Sequence, residues 1–151
     1  MVPVRVARES DASEFARLCN QWGYPMSEER CAICISKVLS SKGDGLYSAE
    51  FEPGKLAGWA HVQTRDIIAA SSFGEIVGIV VDESSRRRGV GRALIDRCEQ
   101  WALEQGIDKM HVKSNSIRPE AHEFYPNIGY VLEKTQHSYA KELNAISRAI
   151  E

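Results

Sequence analysis

Residues 80–94 read Val-Val-Asp-Glu-Ser-Ser-Arg-Arg-Arg-Gly-Val-Gly-Arg-Ala-Leu. An apolar strand runs into a basic, glycine-punctuated turn, and an amphipathic helix follows at once. A helix start already carries unpaired N–H groups and partial positive charge. Arginines at that end oppose the dipole by roughly 0.3–1 kcal/mol each, unless an anion sits among them. Gly89 and Gly91 let backbone amides approach such an anion closely, as phosphate cradles require. The segment therefore predicts a strand–turn–helix unit built around a diphosphate.

The spacing narrows the ligand. A dinucleotide fingerprint needs a third glycine after Gly89-Val90-Gly91, and a P-loop needs Gly-Lys followed by Ser or Thr. Neither occurs in the chain. The alternative reading of the turn is a solvated basic loop that touches nucleic acid. A net charge of −2 over 151 residues argues against it, because such domains are usually basic overall. With 43% hydrophobic and 26% charged residues the chain has the composition of an ordinary globular domain. Its length suits a single domain spanning 1–151. No apolar run approaches the ~20 residues of a membrane span, and no signal-peptide pattern is present. A cytoplasmic protein with no membrane and no nucleic-acid partner is expected, and a homodimer is left open.

Cys31-x-x-Cys34 invites a zinc or redox reading. A zinc site would need a second Cys or His pair at suitable spacing, and none follows. Cys31, Cys34, Ile35, Val38 and Leu39 instead form an apolar stripe at helical spacing, so buried thiols on a helix face account for the pair.

Val2–Ala7 alternates like a first strand. Asp11 and Glu14 have capping-box spacing ahead of a helix with Phe15, Leu18, Cys19 and Trp22 on one face. Ser27 caps a second helix running to about Ser41. Gly45–Phe51 and Lys55–Gln63 read as a hairpin, Arg65–Ser72 as a loop and Phe73–Val81 as an apolar strand. The helix after Gly91 presents Leu94, Cys98, Trp101 and Ala102 to the core. Lys109–Lys113 is a strand and Pro119–Tyr125 a short helix, after which Pro126 either sets the direction of the Tyr125 phenol or ends the helix early. Tyr130–Lys134 and Gln136–Lys141 are expected to close the sheet. The result is a mixed α/β (α+β) fold with a mostly antiparallel central sheet of about seven strands.

Arg86-x-x-Gly89-x-Gly91 resembles the coenzyme A pyrophosphate motif of the GNAT acetyltransferase superfamily. Ala121-x-x-Phe124-Tyr125-x-x-x-Gly129-Tyr130 is similar to that family's second segment. The element order over about residues 2–143 also looks like the GNAT fold, in which two strands splay apart to admit coenzyme A. The resemblance implies acetyl-CoA as acetyl donor. Its pyrophosphate would lie on Arg86, Arg87, Arg88, Gly89, Val90, Gly91 and Arg92. Its pantetheine arm would pair with the main chain of Ile79, Val80 and Val81. Where the family pattern has Asn three residues before the alanine, this chain has Arg118, and Asn115 is the nearby asparagine for the same arm.

By the same resemblance Tyr125 protonates the leaving thiolate, a task suited to a phenol of pKa about 10. A core aromatic beside Phe124 is the other reading of Tyr125. Glu75 lies in an apolar strand, where an unpaired carboxylate is costly and its pKa would rise, which suits a general base. Its spacing to Arg86 and Gly89 is similar to that of the family's histone-acetylating branch, whose base is a glutamate on this strand. A carboxylate satisfied by backbone or by an arginine is the alternative. Among the histidines only His61 falls on a strand expected to line the cleft.

These residues point to an N-acetyltransferase acting on a primary amine of a small molecule or peptide by direct attack. A non-catalytic acyl-CoA sensor or interaction module would need the turn but neither Glu75 nor Tyr125. Acceptor walls are expected from Asn20–Ser27 and Arg65–Ser72, with Trp22, Tyr24, Trp59 and Asp66 lining an aromatic, partly acidic site.

Overall fold

The alternating segment after the second helix folds as a hairpin of two long strands, and the rest of the sheet is laid on its two edges. A computed structural model describes residues 1–113 and 119–144. The elements in chain order are β1 (Val4–Val6), α1 (Ala12–Gln21), α2 (Glu28–Leu39), β2 (Asp44–Glu52) and β3 (Lys55–Arg65). They continue with β4 (Phe73–Val81), α3 (Val90–Glu104), β5 (Met110–Val112) and α4 (Pro119–Asn127). The chain divides into two compact units, 1–114 and 115–151.

In the first unit the sheet order is β1-β2-β3-β4-β5. β1 through β4 are antiparallel neighbours, and β5 joins β4 in parallel over Gly74↔Met110 to Ile76↔Val112. One sheet face packs on α1 and α2 through Phe15, Leu18, Cys31, Ile35, Leu46 and Val80. The other carries α3, whose Leu94, Ile95, Cys98 and Ala102 are buried. The second unit contains α4, which ends in turn hydrogen bonds from Ile128, Gly129 and Tyr130 to the carbonyls of Tyr125 and Pro126.

The mixed, mostly antiparallel sheet agrees with the expectation; the number of strands does not. Residues 130–144 form no strand, and Val131, Leu132, Tyr139 and Leu143 are exposed. Tyr130-Val131-Leu132 is a run, not an alternation, and 136–141 has only Tyr139 and Ala140 as apolar residues. Neither segment has one apolar face to bury, which is what fixes a strand against a sheet. α4 also runs two residues beyond Tyr125, with Pro126 in its last turn.

The capping box is replaced by tertiary contacts. Asp11 accepts hydrogen bonds from Arg5 (2.8 and 2.9 Å), the Arg8 N–H (2.9 Å) and the Ser48 hydroxyl (2.9 Å). Glu14 pairs with Arg17 at 2.7 Å and accepts from the Leu56 N–H. Ser27 does cap α2, accepting from the Arg30 N–H at 3.1 Å. On α2 the buried stripe is narrower than expected. Cys31 and Ile35 are buried, whereas Cys34 faces solvent and Leu39 is exposed. Burial pushes the Cys19 and Cys31 thiols up, and Cys98 up to about 12.

Burial alone would raise the Asp11 carboxyl, but Arg5, the Arg8 N–H and Ser48 hold it below the ordinary value. Its contribution to stability is therefore complete above the ordinary carboxylate pKa of about 3.9. It is lost as pH falls through the lower folded value. Asp11→Asn should destabilise the protein by about 3 kcal/mol at pH 7, as expected for removing one member of a buried pair. Urea unfolding at pH 7 and at successively lower pH checks this. The gap to wild type should close in acid, where the wild-type carboxyl is itself neutral.

Candidate active site

The turn predicted from residues 82–92 is built on a buried carboxylate. Asp82 is only 2% exposed. It accepts from the Ser84 N–H (3.1 Å), Gln21 Nε2 (3.2 Å) and Arg17 Nη1 (3.1 Å), and its own N–H donates to the Ala57 carbonyl at 2.8 Å. Burial pushes the carboxyl up, and the bonds from Ser84, Gln21 and Arg17 more than offset that, leaving it below its ordinary value. Asp82 starts a short 3-10 turn over Glu83–Ser85. The chain then passes through two left-handed residues, Arg87 (φ 61°) and Gly89 (φ 80°), and enters α3.

Gly89 is the N-cap of α3 and supplies no capping side chain. The amides of the first helical turn therefore lack intrahelical partners and point outward from the helix start. A Cβ at Gly89 would meet nothing within 4 Å, so the glycine is required by its φ and not by crowding. Arg86 lies 5.8 Å from the Trp22 ring centroid and Arg88 3.7 Å from that of Phe51. Stacking on a ring occupies a guanidinium's face and leaves its in-plane N–H edge available. Arg86, Arg87, Arg88 and Arg92 are all exposed. Arg88 also rims a depression of about 230 Å³ with Phe51, Lys55, Ser84 and Ser85.

β4 leads into this turn with one edge open. β5 pairs with it only as far as Ile76. From that point the edge of β4, including Ile79, Val80 and Val81, has no strand partner among the described residues. The change coincides with a bulge. Val62 pairs with Ile76 and His61 with Gly78, so Val77 is the extra residue. A bulge bends its strand and sharpens local twist, which is the natural place for two paired strands to part.

The sheet face toward α1 and α2 is divided. Under the helices, Trp59 stacks on Phe15 at 5.0 Å and 13°. The Trp59 ring also covers Gly78, where a Cβ would lie 2.9 Å from it. Beyond Trp59 the same face is polar. It carries His61, Gln63 and Arg65 on β3, Phe73 and Glu75 on β4 and His111 on β5, as the pairs Gln63↔Glu75, Arg65↔Phe73 and Glu75↔His111 require. Phe73 and His111 stack at 4.1 Å.

Glu75 is buried, as expected, yet it is not isolated. Lys113 Nζ stands 3.3 Å from Oε1 and Arg65 Nε 3.7 Å from Oε2. An arginine partner is the alternative reading of Glu75, and Arg65 supplies it; sequence reading did not single out Arg65 or Lys113, since strand register alone brings them to Glu75. It also missed that His61 Nε2 bonds Asp44 Oδ1 at 2.7 Å. Of the expected acceptor walls, Trp59 and Trp22 pack with the core, Tyr24 is exposed and Asp66 accepts from Ser72.

In the second unit Tyr125 is half-buried on α4. It meets Phe124 edge-on at 5.1 Å and Tyr130 edge-on at 5.9 Å. Burial pushes its phenol above the ordinary value. Asn115 lies outside the described residues.

Comparison with known proteins bears on the whole arrangement. Residues 9–130 match the model of the Acetyltransferase (GNAT) family. No curated protein sequence matches the chain. Among solved structures, an acetyltransferase of Trypanosoma brucei is 23% identical with a TM-score of 0.78, over 93% of this chain and 100% of its own. The aminoglycoside N-acetyltransferase AAC(6')-Iy, in complex with CoA, is 18% identical with a TM-score of 0.82, over 95% and 96%. The aminoglycoside 6'-N-acetyltransferase AAC(6')-Ih of Acinetobacter baumannii is 16% identical with a TM-score of 0.80, over 95% and 100%. At these identities the likeness is one of fold.

Gly89→Val places a β-branched side chain at φ 80° and should distort the turn while leaving the core untouched. Coenzyme A affinity measured by calorimetry should fall at least tenfold, about 1.4 kcal/mol. Unchanged binding in a folded variant would remove the turn from the ligand site.

Proposed function

The chain belongs to the GNAT acetyltransferase family, and from that premise we propose that it transfers the acetyl group of acetyl-CoA to a primary amine of a small molecule or peptide. The observation that carries the reading is the uncapped start of α3, with left-handed Gly89 at its N-cap, following a strand whose outer edge beyond Ile76 has no strand partner among the described residues. The donor fits what the residues offer. Backbone amides and the exposed edges of Arg86, Arg88 and Arg92 suit a pyrophosphate. The outer edge of β4 along Ile79, Val80 and Val81, which has no strand partner among the described residues, suits the amides of an extended pantetheine arm. Asn115 is proposed to contact the same arm.

In the reaction the acceptor nitrogen attacks the thioester carbonyl carbon, and a strand N–H near Val81 steadies the charge that develops on oxygen. Tyr125 gives its proton to the departing thiolate. A buried phenol keeps that proton at neutral pH, as a general acid must. Glu75 takes a proton from nitrogen as the new C–N bond forms. It does so through a water, because Lys113 and Arg65 already stand at its two oxygens.

A panel of amines tests the reading. Purified protein with acetyl-CoA should release coenzyme A with at least one among polyamines, amino acids, peptides and aminoglycosides, the last because two of the structural neighbours are named for them. Release with none of them, in protein that binds acetyl-CoA, would contradict it.

Tyr125→Phe keeps the ring and removes the proton donor. Turnover should drop about 10²-fold or more, with the Michaelis constant for acetyl-CoA little changed. The basic limb of the pH–rate profile should disappear with the phenol. In wild type that limb should lie above the ordinary phenol pKa of about 10, since activity needs the protonated form and burial raises its pKa. Wild-type turnover in the variant would return Tyr125 to a packing role.

A further inference from the structure

Acetylation of an amine at neutral pH removes two protons from the acceptor nitrogen. The ammonium must lose one before it can attack, and the nitrogen loses the second as the amide forms. One proton ends on the sulfur of coenzyme A and one in solvent. Glu75 is poorly placed for the first of these. An incoming ammonium would approach a carboxylate that Lys113 and Arg65 already face, 3.3 and 3.7 Å away, and like charges repel it.

His61 is differently placed. Its cross-strand partner on β4 is Gly78, next to the bulge at Val77 and one residue from the proposed pantetheine path along Ile79–Val81. Paired strands lie about 4.8 Å apart, so His61 is one strand spacing from β4 and about two from an arm paired along its far edge, a gap for the imidazole and the acceptor amine to span. It shares its sheet face with Glu75, diagonal to it across the Gln63↔Glu75 pair. Opposite it, Gly78 contributes no side chain. The imidazole is oriented from the outer side: Nε2 donates to Asp44 Oδ1 at 2.7 Å, and the two side chains are 19% and 14% exposed. Nδ1 has no partner among the described residues. Asp44 remains a carboxylate. Burial would raise it, but Ser41, His61 and Gln63 hydrogen-bond to it and hold it below its ordinary value. A base with one nitrogen fixed by a carboxylate and the other free is the arrangement that proton abstraction requires.

We infer that His61, oriented by Asp44, takes the first proton from the acceptor ammonium, an assignment that rests on the acetyltransferase reading. The Nδ1 lone pair forms a new N–H bond as one ammonium N–H bond breaks, and the freed nitrogen lone pair attacks the thioester. The Asp44 carboxylate balances the imidazolium, which returns its proton to water. His61 is then a catalytic residue and Asp44 a positioning residue.

Two acceptors separate this role from a structural one. 2-Phenylethylamine is an ammonium at pH 7, whereas aniline is already neutral and needs no such base. His61→Gln should lose about 10²-fold in turnover with 2-phenylethylamine and little with aniline, while calorimetry shows unchanged coenzyme A binding. His61→Ala should behave alike and regain activity toward 2-phenylethylamine with added imidazole. Asp44→Asn should show the same split between the two amines. Equal losses on both amines without imidazole rescue, or no loss on either, would overturn the assignment. Wild-type protein that acetylates neither these probes nor any amine of the panel would instead overturn the acetyltransferase reading, and this inference with it.

Discussion

Asp82 holds the structure's functional end together. It sits where β4 stops, and its partners come from three directions: the Ser84 N–H within the turn, and Gln21 and Arg17 from α1. Its own N–H bonds back to β3 through the Ala57 carbonyl. A buried carboxylate is tolerated only when it is paired and hydrogen-bonded. The chain satisfies Asp82 only by bringing α1, β3 and the start of the turn to one point. Once they are there, the path to α3 is short. It is completed by left-handed backbone at Arg87 and Gly89, and Arg87 holds that conformation without the freedom of a glycine. The turn is thus anchored at its entrance by a carboxylate and left open at its exit, where the amides of α3 have no cap.

The second constraint is the bulge at Val77. Below it, β4 has partners on both sides; above it, among the described residues, β4 keeps β3 and loses β5. Past this one extra residue the outer edge of β4 has no strand partner among the described residues. Exposed edges are ordinarily a hazard. Here the edge leads directly to the turn before α3, so the proposed donor would be read first by strand-like pairing and then by helix-start amides. The same bulge sets the side chains of the opposite sheet face. Gly78 lies beneath the Trp59 ring, and the polar group of His61, Gln63, Glu75 and His111 begins just beyond it.

How much of this was legible in the chain depended on how local each feature is. The turn at Arg86-x-x-Gly89-x-Gly91 and the helix after it could be read because φ preference and helix-start polarity are properties of adjacent residues. The Ser27 cap and the hairpin around Pro53-Gly54 were readable for the same reason. Features made by register were not. Glu75 could be read either as an unpaired base or as a carboxylate held by an arginine, and which cations hold it was not legible because Arg65 and Lys113 reach it only after β3, β4 and β5 align. The Asp44–His61 pair joins residues 17 apart in sequence across two strands. Asp11 and Glu14 carried a local capping signal that stronger tertiary partners, Arg5 with Ser48 and Arg17 with the Leu56 N–H, redirected. The segment 130–141 failed in the opposite way: β-prone residues were present, but without the alternation that gives a strand a face to bury.

The central claim is that one ligand lies along the free edge of β4 and ends on the first turn of α3. Backbone amide resonances of ¹⁵N-labelled protein, followed while acetyl-CoA is added, test it most directly. The account predicts that the largest shifts, and slowed amide exchange, fall on Ile79, Val81, Val90, Gly91 and Arg92, with α2 unaffected. Saturable binding with shifts confined elsewhere, or no shift in these amides at saturating acetyl-CoA, would contradict it.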